Sequence, residues 1–199
     1  MIHFKKVRWK NFLSTGNRFT EVILDRSKTT LIIGENGAGK STVLDALCFG
    51  LFGKPYRSIK KNQLVNSINS GKSEVEIEFR IGTNEFLVRR GIKPNTFDII
   101  RNGEAMDQDA HSRDFQKVLE DQILKLNYKT FTQVVILGSS CFIPFMQLPT
   151  THRREVVEDI LDIKVFSLMN TLLKLKYKEI KSEVDDLKLE ESLYKSKLD

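Results

Sequence analysis

The sequence predicts an α/β lobe with an antiparallel β subdomain and a long C-terminal helix of coiled-coil type. Three observations carry that expectation. A short apolar run at residues 29–33 ends at a glycine and leads through a glycine-rich loop into an amphipathic helix. Residues 74–104 alternate apolar and polar side chains in short runs. Residues 150–199 contain neither Gly nor Pro, so nothing in them breaks a helix.

Taken in order, residues 2–24 are expected to hold two strands. Phe4, Val7 and Trp9 are interleaved with Lys5, Lys6, Arg8 and Lys10, and residues 19–24 form a second extended run. Leu31, Ile32 and Ile33, after two threonines, predict a third strand, short and apolar as a buried strand is. Over residues 40–52, Val43, Leu44, Leu47, Cys48 and Leu51 recur on one broad helical face. Gly53 and Pro55 stop that helix. In residues 74–81 four charged side chains alternate with Val75, Ile77, Phe79 and Ile81, which predicts a strand with one buried and one wet face. Residues 85–90 and 96–101 continue an antiparallel meander through turns at Thr83-Asn84 and Asn102-Gly103. Phe115, Val118, Leu119 and Leu126 predict a helix over 112–126. Residues 128–137 read either way: Phe131, Val134 and Val135 fit a helical face, but β-branching works against it. Thr150 or Thr151 is expected to cap a helix running to about Leu161.

From Tyr177 onward, Tyr177, Ile180, Val184, Leu187, Glu191, Tyr194 and Leu198 follow steps of three and four. Six of these seven are apolar, with charges on the other faces, which is the pattern of a coiled-coil seam. A single amphipathic helix packed on the domain is the alternative. The expected division is a lobe over residues 1–163 and the start of a coiled coil over residues 164–199.

A chain of 199 residues suits one domain with an appendage. Its longest apolar runs are only a few residues, such as Val134 to Leu137, so no transmembrane helix and no membrane partner are expected. The first residues lack an apolar stretch ahead of a cleavage site, so no signal peptide is expected and a cytoplasmic location is. Two cysteines, Cys48 and Cys141, exclude a disulfide framework and a zinc cluster and fit reduced, packed thiols. His3, His111 and His152 have no metal-ligand spacing, and Trp9 is expected in the core. The net charge of +6 lies entirely in residues 1–110. An excess of that kind on one region is a footprint for phosphate, although many soluble proteins carry as much.

Gly34, Glu35, Asn36, Gly37, Ala38, Gly39, Lys40, Ser41 and Thr42 match G-x-x-x-x-G-K-[ST]. Glycines let the backbone turn tightly so that successive N–H groups face inward around phosphate oxygens. Lys40 would bring its ammonium to the β- and γ-phosphates, and Ser41 its hydroxyl to Mg²⁺. The helix that follows points its positive end at the same phosphates. The implied cofactors are a nucleoside triphosphate, ATP ahead of GTP, and Mg²⁺; the loop alone does not decide between the two nucleotides. Lys54, Arg57, Lys60 and Lys61 lie close together in sequence and could meet DNA phosphate or the ribose of a nucleotide; as a solvated loop they need no function. Arg153 and Arg154 open a helix, where positive charge is mildly unfavourable, and hint at an anion or an acidic partner.

Hydrolysis needs acidic groups to hold the metal and activate water. No apolar strand here ends in Asp-Glu; Val156, Val157, Glu158 and Asp159 come nearest and read as helix. Leu137, Gly138, Ser139 and Ser140 only superficially resemble a Leu-Ser-Gly-Gly signature. A phosphate cradle without the remaining catalytic groups suggests half an enzyme. A self-sufficient phosphotransferase, such as a small kinase, and a non-catalytic module ordered by nucleotide are the alternatives.

In this combination the chain resembles the N-terminal half of SMC-like DNA-repair ATPases of the SbcC class, most of all the ATPase subunits of T-even-type phage recombination endonucleases. The resemblance rests on Lys10-Asn11-Phe12-Leu13-Ser14, the loop at 34–42, and Leu44-Asp45-Ala46 leading to residues 49–55. Arg89-Arg90-Gly91, Lys93-Pro94-Asn95, Pro144-Phe145-Met146 and residues 153–159 complete it. It implies a P-loop NTPase head of ABC/SMC type, built from N- and C-terminal lobes of one chain joined by an antiparallel coiled coil. ATP would be sandwiched between two heads of a homodimer, a nuclease subunit would dock near residues 164–199, and head closure would govern access to DNA. A phage-encoded member would act in the host cytoplasm. Two positions depart from many relatives. Leu13 stands where an Arg is common, and a metal-touching Gln falls on or near Gly138, with Gln133 and Gln147 offset from it.

Overall fold

The computed structural model describes residues 2–106, 112–136, 143–161 and 163–198. Gly138 and its neighbours, Cys141 and His111 lie outside the described residues. Strands β1 (Ile2–Lys10), β2 (Thr20–Ile23), β3 (Ser73–Ile81), β4 (Asn84–Ile92), β5 (Phe97–Arg101) and β6 (Glu104–Ala105) form one sheet. Its order is β2-β1-β3-β4-β5-β6, with every neighbouring pair antiparallel. The meander expected over 74–104 is thus present as β3 to β6.

Period-two alternation sorts the two faces. Val7, Trp9, Val75, Ile77, Phe79, Phe86, Val88 and Ile99 are buried on one side. On the other, Lys6 pairs with Glu78 at 2.8 Å, Lys10 with Glu74 at 2.7 Å, and Arg89 with Glu76 at 2.8 Å. Arg8 also bonds Glu76, which is itself buried. Burial pushes the Glu76 carboxyl up, but hydrogen bonds from Arg89 and Arg8 outweigh it and leave the group below the usual carboxylate range.

Helix α1 (Thr42–Phe52) lies across the apolar face. Gly50 is what lets it approach: a Cβ there would come within 2.4 Å of Ile77 Cδ1 and 3.2 Å of Val75 Cγ1. Phe12, Phe49, Phe79 and Phe131 are fully buried around this contact, each contributing roughly 2–3 kcal/mol by burial. Gly53 ends α1 in the left-handed conformation, its amide bonded to Phe49 O at 2.8 Å. Arg90 of β4 holds that end. Its Nε donates to Gly50 O at 3.0 Å, Nη2 donates to Gln116 Oε1 at 2.6 Å, and the guanidinium stacks 3.7 Å over Phe97. Burial pushes this guanidinium down to about 10, with Glu120 opposing.

The helix expected at 112–126 divides into α2 (Ser112–Lys117) and a π-helical stretch, Val118–Leu124. Residues 128–137, open at the sequence level, form α3 (Tyr128–Val134) as far as Val134, capped by the Asn127 side chain. Helix α4 (Thr150–Ile160) follows, but Pro149 rather than a threonine occupies its cap, and no side chain closes it. Helix α5 (Lys164–Leu198) runs unbroken for 35 residues, about 50 Å at 1.5 Å per residue. Its seam residues Tyr177, Ile180, Val184, Leu187 and Tyr194 are all exposed.

One expected element is absent. Residues 29–33 form no strand, and Leu31 and Ile33 are 79% and 83% exposed. The run is apolar enough for a buried strand, but among the described residues no strand is hydrogen-bonded to it. Without a partner its N–H and C=O groups are left to water and the β conformation has no support.

Candidate functional site

The loop of residues 34–41 leads into the N-terminus of α1. Gly37 and Gly39 take φ values of +88° and +89°, which Gly adopts without strain. Nothing lies within 4 Å of where a Cβ at Gly37 would stand, so that side of the loop is open. The loop is drawn together by Ala38 N donating to Glu35 O at 3.2 Å and Thr42 N to Gly39 O at 2.9 Å. Lys40 folds back over it, with Nζ donating to Gly34 O and Glu35 O, both at 2.7 Å. Ser41 occupies the cap position of α1 in helical conformation, and its hydroxyl makes no capping bond. Thr42 is buried.

Beside this loop opens a cavity of about 530 Å³. Gly37, Gly39, Lys40, Ser41 and Thr42 form one wall; Leu13, Ser14, Gln63, Val65 and Ser67 form the other, and Arg57 also lines it. Backbone amides, an ammonium and an uncommitted hydroxyl on one side suit a polyanion with its divalent cation. The volume is that of a nucleotide-sized ligand rather than a single ion. The residues present therefore fit a bound nucleoside triphosphate with Mg²⁺.

The second wall comes from segments far apart in sequence. Phe12 and Val65 form an isolated antiparallel bridge, and Leu13 N donates to Leu64 O at 2.6 Å. Asn11, Asn17, Asn66 and Asn69 lace the 11–17 loop to residues 66–72. Sequence spacing carries no sign of this arrangement; the one available signal was that Leu13 and Ser14 follow directly on the Lys10-Asn11-Phe12 stretch.

The four cations singled out at 54–61 do not form one patch. Arg57 is tied to α1: its amide donates to Asp45 Oδ1 at 3.0 Å, and Nε donates to Asp45 Oδ2 at 2.7 Å. Asp45 is fully buried, so Arg57 is fixed at the cavity rim by a buried carboxylate. Lys54 lies 5.9 Å over the Tyr128 ring and borders a different cavity. The Lys60 amide donates to Gln63 Oε1 at 3.0 Å, at the start of a 3₁₀ turn (Lys61–Leu64). Lys61 Nζ donates to Asn95 Oδ1 at 2.8 Å, and burial followed by the charge of Arg90 pushes its ammonium below the usual lysine range.

Other candidates resolve into structural roles. Arg153 donates to Met146 O at 3.1 Å, and Arg154 donates to Glu158 Oε1 at 2.7 Å within α4. Asp159 is buried in α4, where it accepts from Asn127 and Thr130 and joins α4 to α3. Among the described residues no group of three or more His, Cys, Asp or Glu could hold a metal ion, and no helix is long and apolar enough to cross a membrane. Cys48 is a free, buried thiol; burial, then the nearby Asp45 charge, push it up to about 12.

The exonuclease subunit 2 of Escherichia phage RB69 is 41% identical over 178 residues, 89% of this chain and 32% of that protein. The exonuclease subunit 2 of Enterobacteria phage T4 is 43% identical over 176 residues, 87% of this chain and 31% of that protein. The DNA double-strand break repair Rad50 ATPase of Sulfolobus acidocaldarius is 27% identical over 202 residues, 94% of this chain and 22% of that protein. The chain therefore spans about a third of the length of the phage relatives it matches. In three dimensions it is similar to an Smc head domain with a coiled coil and joint, derived from Pyrococcus yayanosii. The TM-score is 0.59 and the identity 21%, over 95% of this chain and 38% of that one. The fold is that of the N-terminal lobe of an SMC-type head. With residues 6–199 matching the family described as AAA domain, the chain belongs to that family, a homologue of phage exonuclease subunit 2 and of the Rad50 ATPases.

Proposed function

We propose that this chain is the nucleotide-binding lobe of an ATPase subunit that works with a nuclease in DNA double-strand-break processing and recombination. The single observation that carries the reading is the open glycine loop at the head of α1, facing a nucleotide-sized cavity. The relatives named above, an exonuclease subunit and a break-repair ATPase, supply the biological setting.

In this reading the amides of residues 37–41 and the Lys40 ammonium hold the β- and γ-phosphates, and the Ser41 hydroxyl ligates Mg²⁺. Lys40 exchanges its present carbonyl partners, Gly34 O and Glu35 O, for phosphate oxygens. Bound ATP–Mg²⁺ supplies the phosphoanhydride whose cleavage drives the head. The lobe of residues 1–163 binds but turns over slowly, because no described acidic residue lines the cavity. The C-terminal lobe of the same protein completes the head, with its strands taking up the exposed run at 29–33. Two completed heads close on ATP and set access to DNA. The segment 164–199 begins a coiled coil, and its exposed apolar residues near the root receive the nuclease subunit.

The test is titration of ATP–Mg²⁺ into this chain with and without a complementary C-terminal lobe, with phosphate release followed in parallel. Binding by the chain alone, with turnover appearing only after the second lobe is added, is expected. Robust hydrolysis by the monomeric chain alone would contradict the proposal.

A further inference from the structure

We propose that Asn66 is a positioning residue for nucleotide binding: it holds the backbone of Leu13 and Thr15 so that Leu13 and Ser14 form the second wall of the cavity. The inference rests on the reading of that cavity as the nucleotide site.

Asn66 is 7% exposed, and its whole side chain is spent on this one task. Nδ2 donates to Leu13 O at 3.0 Å and to Thr15 O at 3.1 Å. Oδ1 accepts from Ile68 N at 2.9 Å and from Asn69 N at 3.1 Å. Its main-chain N donates to Asn11 O at 2.9 Å. An amide has two donor hydrogens and two good acceptor positions, so all four are in use. No side chain other than an amide can donate twice to one segment while accepting twice from another.

The geometry it holds needs holding. Asn11 and Leu13 have φ of +49° and +52°, a region that non-Gly residues occupy at a cost. Phe12 anchors the base of the loop in the core, fully buried, while Leu13, Ser14 and Thr15 are at least partly exposed. Burial thus fixes the base; at the tip Leu13 N is held by Leu64 O and Thr15 by Phe12 O, and Asn66 ties the carbonyls of both Leu13 and Thr15 to the 66–69 turn. The tip lies directly against the glycine loop: a Cβ placed on Gly39 would be 3.9 Å from Ser14 Oγ. A second lace, from Asn69 Nδ2 to Asn11 Oδ1 at 2.7 Å, acts in parallel but touches only the base of the loop.

The informative variant is Asn66→Asp. It keeps the shape and both acceptor positions, but replaces the NH₂ that donates twice with an oxygen facing the carbonyls of Leu13 and Thr15. The tip is then repelled from its place while the fold keeps its core. Calorimetric titration of Mg–ATP into wild type, N66D, Asn69→Ala and Lys40→Ala is combined with hydrogen exchange on the same samples. For N66D the dissociation constant is expected to rise about ten-fold or more, as misplaced binding groups do. Amides 13–15 should exchange faster while those of α1 and β3 keep their protection. N69A should weaken binding by a smaller factor, about three-fold. Unchanged affinity in folded N66D overturns the proposal, as does a loss of affinity matched by faster exchange across α1 and β3. If N66D does not fold, N69A decides: unchanged affinity together with faster exchange at residues 11–15 overturns it. Lys40→Ala separates the two levels. If K40A binds as tightly as wild type, or wild type does not bind, the nucleotide reading fails and this inference with it. If K40A loses binding while N66D does not, only the role of Asn66 fails.

Discussion

Replacing Asp45 with Asn probes the stability of the site and its geometry together. Asp45 is fully buried in the first turn of α1, where it accepts two hydrogen bonds from Arg57, from the amide at 3.0 Å and from Nε at 2.7 Å, and has Nη2 as an ion-pair contact at 2.5 Å. Asn can keep the bond from the Arg57 amide but turns an NH₂ toward the guanidinium, so the charge-assisted bond from Nε and the ion pair with Nη2 are lost. Loss of one partner of a buried pair costs about 3–5 kcal/mol. Because the Arg57 side chain is 44% exposed and can rehydrate, the expected cost is lower, about 2–3 kcal/mol. For a chain of this size that is a fall of roughly 5–10 °C in Tm. The assay is urea denaturation of D45N, Arg57→Gln and the double variant, with thermal melts alongside. The coupling energy from the cycle should be about 2 kcal/mol. Strictly additive effects, or a D45N cost below about 0.5 kcal/mol, would refute the claim that Asp45 fixes Arg57 at the cavity rim.

Glu76→Gln strips the charge from a buried carboxylate shared by Arg8 and Arg89 and should cost about 1–3 kcal/mol in urea denaturation, since both arginines stay partly hydrated. The folded state holds the Glu76 carboxyl below its unfolded value, so its stabilisation is complete above the ordinary carboxylate range and fades as pH falls through the lower folded value. Wild type should lose stability in acid more steeply than E76Q; parallel pH profiles would deny this carboxylate its role. Cys48, with its thiol pushed up to about 12, should resist iodoacetamide at neutral pH until the chain unfolds, and peptide mapping that finds it modified in the native protein would show that the core opens there. Leu31→Ser with Ile33→Ser should change stability by less than about 0.5 kcal/mol, both side chains being exposed. The pair should also improve solubility by light scattering, and a large loss of stability would mean that residues 29–33 already serve the fold.

Legibility in the sequence followed how local each cause is. Period-two alternation placed β3 within a residue of its observed ends, because a half-buried strand is dictated by neighbours on the same segment. The glycine loop was legible for the same reason: its chemistry is nine consecutive residues. Residues 29–33 were misread because a strand needs a partner, and no apolar run can supply one. The second cavity wall was hard to read because its members, Leu13 and Val65, are over fifty residues apart and are brought together by the Phe12–Val65 bridge. Arg57 looked like one of four basic loop residues; only the fold reveals that buried Asp45, twelve positions earlier, claims it. The cap of α4 was assigned to a threonine by propensity, yet the chain enters the helix through Pro149, whose fixed φ already suits a helix entrance.

The most direct measurement is a crystal structure of this protein with Mg²⁺ and a non-hydrolysable ATP analogue. The account predicts the triphosphate within hydrogen-bond reach of the amides of residues 37–41 and of Lys40 Nζ, with Ser41 Oγ on the metal. Nucleotide bound elsewhere while this loop stands vacant would contradict it.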